Sequence, residues 1–206
     1  VLNGYFLAVR GASQRCYFSA VGGITFNALD YFSAETQPDE LVNIATHGDE
    51  LWMFGQSTVE VYVPAPDPDA PFLRINGRIF VMGCAARDGV ARLDDGLAWV
   101  GQDRVVYHDA GVPVRISTET IEQALVANPT ADLTAWGYTV EGHITYVLNI
   151  GTVATFAFAN GKWTQFDGPG YDYLPAWSSA RLTDGKVVVG EDKKVAALAI
   201  AMPEAI

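Results

Sequence analysis

Leu51-Trp52-Met53-Phe54-Gly55-Gln56-Ser57-Thr58-Val59-Glu60-Val61-Tyr62 decides the fold. An apolar run ends at a glycine, three polar residues follow, and a β-branched and aromatic run resumes. That order reads as two antiparallel strands and the turn between them. The pattern recurs along the chain. Leu97-Ala98-Trp99-Val100-Gly101 leads through Gln102-Asp103-Arg104 into Val105-Val106-Tyr107. Lys186-Val187-Val188-Val189-Gly190 leads through Glu191-Asp192-Lys193-Lys194 into Val195-Ala196-Ala197-Leu198. Weaker copies run from 143 to 156 and from 5 to 18. The residues closing the first strand of each copy are Arg10, Gly55, Gly101, Asn149 and Gly190, spaced by 45, 46, 48 and 41.

Each of these strands is entered through a small polar turn: Asn3-Gly4, Gly48-Asp49, Asp95-Gly96, Glu141-Gly142 and Asp184-Gly185. Such residues tolerate the positive φ of tight antiparallel connections. A period of roughly 40–50 residues with several strands per unit is the signature of a β-propeller. The expected fold is all-β and propeller-like, with about five blade units of antiparallel strands. The second unit is expected at 41–46, 50–54, 58–63 and 72–75. The third is expected at 90–93, 96–100, 104–107 and 114–116, and the fourth at 133–140, 143–148, 153–158 and 163–166. The end units are incomplete: the first lacks its opening strand and the last its closing strand. Residues 1–206 are therefore read as one propeller domain, a fragment of a longer chain cut at both ends. Val1 in place of Met points the same way, and no signal peptide opens the sequence. A β-sandwich of hairpins has no reason to repeat at this period.

Two segments interrupt the repeat. Pro64-Ala65-Pro66-Asp67-Pro68-Asp69-Ala70-Pro71 predicts a stiff exposed loop. Its acids lack the spacing and glycine of a calcium-binding EF-hand. Ser117-Thr118-Glu119-Thr120-Ile121-Glu122-Gln123-Ala124-Leu125 predicts a short helix near 118–126. Ser117 is its expected N-cap, acids fill the first turn, and Ile121, Ala124 and Leu125 share a face.

The sequence has 13 Lys and Arg against 24 Asp and Glu, a net charge of −11. This argues against tight electrostatic binding of DNA, which needs clustered bases. Only 18% of residues are charged, which fits a surface partly covered by a partner. Cys16 and Cys84 have neither disulfide nor zinc spacing and read as buried thiols. No apolar run reaches the roughly 18 residues of a membrane span.

A search for chemistry returns little. His47, His108 and His143 show no metal spacing and read as turn or surface residues. No nucleophile elbow or phosphate-cradling loop is present, and Lys162 and Lys186 follow glycine only in hairpins. Asp49, Asp95, Glu141 and Asp184 recur at one turn position, which points to turn chemistry. The presumed inner strands at 41–46, 90–93 and 174–182 hold no acid, and only Asp132 lies near such a place. A glycosidase needs two or three acids converging there. Trp52 and Trp99 occupy near-equivalent repeat positions, so packing between blades is favoured over sugar or base stacking. Trp136, Trp163 and Trp177 are the other tryptophans open to either reading.

The sequence also resembles a known family. The resembling stretches are Phe32-Ser33-Ala34-Glu35 with Pro38-Asp39, and Glu50-Leu51-Trp52-Met53-Phe54-Gly55 with Thr58 and Glu60-Val61. Further on they are Gly83-Cys84-Ala85-Ala86, Arg115-Ile116-Ser117-Thr118 with Ile121-Glu122, Glu141-Gly142-His143 with Tyr146, and Asp184-Gly185-Lys186 with Val189-Gly190. Their order and spacing resemble the packaged-DNA stabilization proteins of short-tailed, podovirus-type bacteriophages, the hub or nozzle of the tail. The resemblance implies a structural virion protein of the tail, not an enzyme, with no cofactor and no catalytic residues to carry over. It implies a ring, six copies in this family, below the portal and adaptor proteins. Such a ring retains the packaged genome, forms part of the ejection conduit, and offers attachment to the tail needle and tailspikes. DNA would pass without specific binding. The chain is shorter than the family pattern implies. Pro64, Pro66, Asp67, Pro68, Asp69 and Pro71 in the loop, with Glu119, Glu122 and Gln123 on the helix, are the expected assembly contacts, because insertions on propellers often bind. The alternative reading is a carbohydrate-binding or glycoside-hydrolase-like propeller.

Overall fold

The repeat folds into five separate antiparallel sheets in the computed structural model, which describes residues 1–34, 36–109, 111–140, 142–167, 172–176, 178–181, 187–191 and 194–197. Blade 1 comprises β1 (Leu7–Val9), β2 (Arg15–Ser19) and β3 (Phe26–Ser33). Blade 2 comprises β4 (Leu41–His47), β5 (Glu50–Gly55), β6 (Val59–Pro64) and β7 (Phe72–Phe80). Blade 3 comprises β8 (Val90–Leu93), β9 (Gly96–Val100), β10 (Val106–Asp109) and β11 (Pro113–Arg115). A helix, α1 (Glu119–Ala127), and a 3₁₀ turn, Thr130–Asp132, precede blade 4. Blade 4 comprises β12 (Leu133–Val140), β13 (His143–Ile150), β14 (Ala154–Ala159) and β15 (Lys162–Phe166). Blade 5 comprises β16 (Ser178–Arg181), β17 (Val187–Glu191) and β18 (Lys194–Ala197). Every sheet is a meander in chain order, with three, four, four, four and three strands. That is the expected count. The first strands of blades 3, 4 and 5 contact one another in sequence, β8 with β12 and β12 with β16, so they form the inner side.

Among the described residues four apolar clusters join successive blades. Cys16 and Phe18 of blade 1 meet Leu51, Met53 and Phe72 of blade 2. Trp52, Phe54 and Val61 of blade 2 meet Leu97 and Trp99 of blade 3. Ala98, Val100 and Val106 of blade 3 meet Tyr146, Leu148 and Phe158 of blade 4. Trp136 and Val147 of blade 4 meet Val189 of blade 5. Alternation along β5 explains the arrangement: Leu51 and Met53 point to blade 1, Trp52 and Phe54 to blade 3. A strand buried on both faces must be apolar at every position, which is why the repeat reads as an unbroken hydrophobic run.

The structure departs from expectation at three places. β7 runs on to Phe80, because Tyr62 pairs with Arg74 while Glu60 pairs with Ile79. The extra residues form a bulge at Asn76-Gly77, where Gly77 adopts φ +83°. The third strand of blade 3 begins at Val106, not 104, because Arg104 sits in the turn at φ +66° and donates its N–H to Gly101 O. Ser117 does not cap the helix. Thr118 holds the N-cap position, with no side-chain cap. The buried Ser117 hydroxyl instead accepts from Val106 N–H (3.0 Å) and donates to Glu122 Oε1 (2.6 Å). The turn acids Glu141 and Asp184 lie outside the described residues.

The helix is not a free appendage. Ile121 and Leu125 are buried in the cluster between blades 3 and 4. Arg104 donates to Leu125 O (3.3 Å) and Asn128 O (3.5 Å), giving the helix C-terminus the cation its own last turn lacks.

Gly83 locks one junction. It adopts φ +56°, and a Cβ there would collide with Gln56 O in the β5–β6 turn. The neighbouring Cys84 N–H donates to Gly55 O (2.8 Å). Gly48 has the same φ, +56°, with nothing within 4 Å of a Cβ. Gly48→Ala therefore carries only the left-handed strain, about 1 kcal/mol, whereas Gly83→Ala should cost about 2–4 kcal/mol once overlap is added. Equal losses in urea unfolding would contradict the role given to Gly83.

Candidate assembly surface

The tryptophans serve packing. Trp52 and Trp99 are 1% and 0% exposed, with ring centroids 6.0 Å apart across the blade 2–3 junction. Trp99 donates to Gly83 O (3.0 Å), Trp136 to Ala176 O (3.1 Å) and Trp163 to Ile116 O (2.6 Å). Trp52 donates to Glu50 Oε2 (3.0 Å). A stacking platform needs an open ring face, and neither Trp52 nor Trp99 keeps one. Trp177 lies outside the described residues.

The inner strands β4, β8, β12 and β16 contain no Asp or Glu. Asp132 is exposed in the 3₁₀ turn before β12, and Asp49 and Asp95 are exposed in hairpin turns. His143 is exposed, while His47 is half-buried at the end of β4. The His108 ring nitrogen Nε2 lies 3.1 Å from Leu93 O. Among the described residues no three His, Cys, Asp or Glu gather as metal ligands, and no helix is long and apolar enough to cross a membrane.

The buried carboxylates are braces, and sequence reading missed them. Asp39 accepts Ser57 N–H (2.5 Å), Thr58 N–H (3.0 Å) and the Thr58 hydroxyl (3.5 Å), so it organises the turn after β5. Glu60, 1% exposed, accepts Thr36 N–H (3.0 Å), the Tyr62 hydroxyl (3.0 Å) and Arg74 Nη1 (3.3 Å). Arg78, turned by the β7 bulge, reaches Glu50 Oε1 (2.7 Å) and Asp109 Oδ2 (2.9 Å) and lies 5.1 Å over the Trp52 ring. The Arg78 pair thus ties blade 2 to blade 3. Arg78→Met would leave Asp109 buried and uncompensated. It should cost about 2–4 kcal/mol in urea unfolding; a loss below about 0.5 kcal/mol would reduce the brace to a surface ion pair.

The nine expected contacts divide by exposure. Pro66, Asp67, Pro68 and Asp69 form the exposed loop tip, tightened by Asp69 N–H to Asp67 Oδ1 (3.0 Å). Pro64 closes β6 half-buried, and Pro71 is buried. Glu119 and Gln123 are exposed and bonded to each other (3.2 Å). Glu122 is engaged inside the chain, by Arg115 (2.5 Å) and Ser117. A cleft of about 390 Å³ between the outer strands of blades 1 and 2 is lined by Tyr31, Phe32, Ser33, Tyr62 and Arg74.

Both thiols are buried, and burial pushes Cys16 and Cys84 up to about 12. Between the lower pKa of an unfolded thiol and about 12, the unfolded chain sheds protons that the folded chain keeps. Stability therefore falls as pH rises through that window. A disulfide reagent such as dithiobis(nitrobenzoate), at about pH 8, should label neither thiol in the native protein and both in denaturant. Rapid native labelling would contradict the burial.

The architecture has counterparts among solved structures. One is BBS1N in complex with ARL6DN: TM-score 0.57, 10% identity, covering 93% of this chain and 60% of that one. A second is Hsv2 of Kluyvelomyces marxianus: TM-score 0.54, 12% identity, covering 99% and 59%. A third is a streptogramin B lyase: TM-score 0.53, 11% identity, covering 98% and 67%. At such identities the likeness is one of fold, and the chain spans about 60% of the first of these proteins. No protein in the curated collection matches the sequence. The family model described as bacteriophage P22 Gp10, beta-propeller, matches residues 2–181. With that match over most of its length, and with the blade series that the model's description names, the chain belongs to the phage stabilisation family of P22 Gp10.

Proposed function

We propose that the protein is a structural component of the phage tail, a hub or nozzle element that retains packaged DNA and forms part of the ejection conduit. The observation carrying this reading is the family membership over residues 2–181. Two properties of the chain support it. The net charge of −11 disfavours counterion-releasing contacts that would grip a moving duplex. The inner strands offer no converging carboxylates, so nothing there favours the carbohydrate-cleaving alternative.

The mechanism is assembly. Copies contact head to tail and close a ring, six-fold in this reading, beneath the portal and adaptor proteins, with the needle and tailspikes attached outside. The loop tip at 66–69 and the exposed Glu119–Gln123 pair are proposed contacts, because both project from the blade series. In virion assembly without the full-length protein, capsids should fill but lose their DNA. Stably filled, infectious particles would sink the proposal. Replacing 66–69 with Gly-Ser should leave the melting temperature within a few degrees and lower incorporation into particles several-fold. Unchanged incorporation would remove the loop from the account.

A further inference from the structure

We infer that blade 4 binds an internal water molecule between Thr134 Oγ1 and Asn149 Oδ1, within a polar row that clasps the chain crossing to blade 5. Thr134, Asn149 and Thr155 are direct cross-strand partners along β12, β13 and β14. Side chains paired in this way stand on one face of a sheet. The neighbouring row on that face is Trp136, Val147 and Ala157, which packs with Ala176 and Val189 in an apolar cluster. The polar row therefore interrupts an apolar junction, and each of its members needs hydrogen-bond partners there.

Most of those partners come from residues 174–176. Thr155 is fully buried, accepts Leu174 N–H (2.9 Å) and donates to Leu174 O (3.3 Å). Ala176 O accepts both Trp136 Nε1–H (3.1 Å) and the Asn149 side-chain amide. A carbonyl oxygen only accepts, so Ala176 O sets the orientation of Asn149: its NH₂ group faces Ala176, and Oδ1 is left to find a donor elsewhere. Asn149 is fully buried, and its Oδ1 has no hydrogen-bond partner among the described residues. Thr134 Oγ1, on the residue directly opposite, is buried and equally without a partner.

An acceptor and a hydroxyl, both orphaned and placed on one face, are the two walls of a water site. A water donates one hydrogen to Oδ1 and meets the hydroxyl with the other hydrogen or with a lone pair. One molecule thus satisfies both atoms, and immobilising it costs less than leaving both bonds unmade. The repeat shows what is particular to blade 4. Asn149 stands where blades 2 and 3 carry Gly55 and Gly101. A Cβ at Gly55 would come within 2.5 Å of Asp39 Oδ2, and one at Gly101 within 2.6 Å of Asp103 Oδ1. In those blades a carboxylate crowds the strand end. In blade 4 the strand end supplies its own amide, and water completes it.

Crystals of the protein that diffract well enough to show ordered solvent test the site directly. One solvent peak should lie about 2.7–3.2 Å from both Thr134 Oγ1 and Asn149 Oδ1. The Thr134 hydroxyl turned onto Asn149 Oδ1, with no peak between them, would overturn the inference. A second measurement works in solution: magnetic relaxation dispersion of the water oxygen counts long-lived internal waters. Thr134→Val keeps the branched shape and loses the hydroxyl. It should lower the count by about one and raise the unfolded-to-folded ratio about fivefold. Thr134→Ser keeps the hydroxyl and should keep the water. A count that Thr134→Val leaves unchanged would overturn the site, whatever the change in stability.

Discussion

The structure depends on one constraint: the second strand of each middle blade is buried on both faces. In β5, Leu51, Trp52, Met53 and Phe54 are all at most 1% exposed, and they serve two different junctions. Leu97 to Val100 in β9 are at most 2% exposed, and Tyr146 to Leu148 in β13 are fully buried. No position in such a strand can relax toward solvent, so a loss at one junction is felt at the next. The strand ends inherit the constraint. Gly55 ends β5 where a Cβ would press on the Asp39 carboxylate, 2.5 Å from Oδ2. Asn149, at the corresponding repeat position in blade 4, is fully buried and donates its side-chain amide to Ala176 O of the next unit.

Apolar faces alone fix neither the turn geometry nor the angle between blades, since dispersion and burial are non-directional. The buried carboxylates supply direction. Asp39 holds the β5–β6 turn through two backbone donors, and Glu60 ties the chain leaving blade 1 to the middle of blade 2 through Thr36 and Arg74. Asp109 and Glu50 share Arg78 across the blade 2–3 junction. Each acid is multiply bonded, which is the condition under which burial of charge is tolerated. Some of their partners, Thr36, Ser57 and Thr58, lie between strands, where the backbone leaves donors free. The Gly77 bulge is part of this system, because it aims Arg78 at the neighbouring blade.

The blade series was legible because double burial imposes an unbroken apolar run, and the turns between runs demand small polar residues. The turns then bound the inner strands: 90–93 and 133–140 were met as expected, and 41–46 runs one residue further, to His47. The packing role of Trp52 and Trp99 was legible from their equivalent repeat positions. The braces were not, because whether an acid is buried depends on groups far along the chain: Asp109 needs Arg78, and Asp39 needs residues 57 and 58. The same limit applied to the helix. Its apolar face was visible in Ile121, Ala124 and Leu125, but Ser117 read as a cap because nothing local says that β10 already uses its hydroxyl. Among the proposed contacts, composition separated the Pro-rich loop from the blades. It did not separate exposed Asp67 from buried Pro71.

The contrast between blade faces bears on how such a chain can both fold and assemble. The junctions inside it are lined mainly by apolar side chains, as Val147 and Leu148 on opposite faces of β13 illustrate. Faces of that kind associate irreversibly on the time scale of folding and would be aggregation-prone if left open before assembly. Blade 1 shows the alternation residue by residue. Its middle strand, Arg-Cys-Tyr-Phe-Ser at 15–19, keeps Cys16 and Phe18 for the core and presents Arg15 and Tyr17 outward. The stacked Arg15 and Tyr31 keep that face polar as well as aromatic. Only at Ser19, where the pairing with β3 shifts register, does an odd position of β2 turn into the buried interior, its hydroxyl accepting Phe6 N–H and donating to Ala20 O.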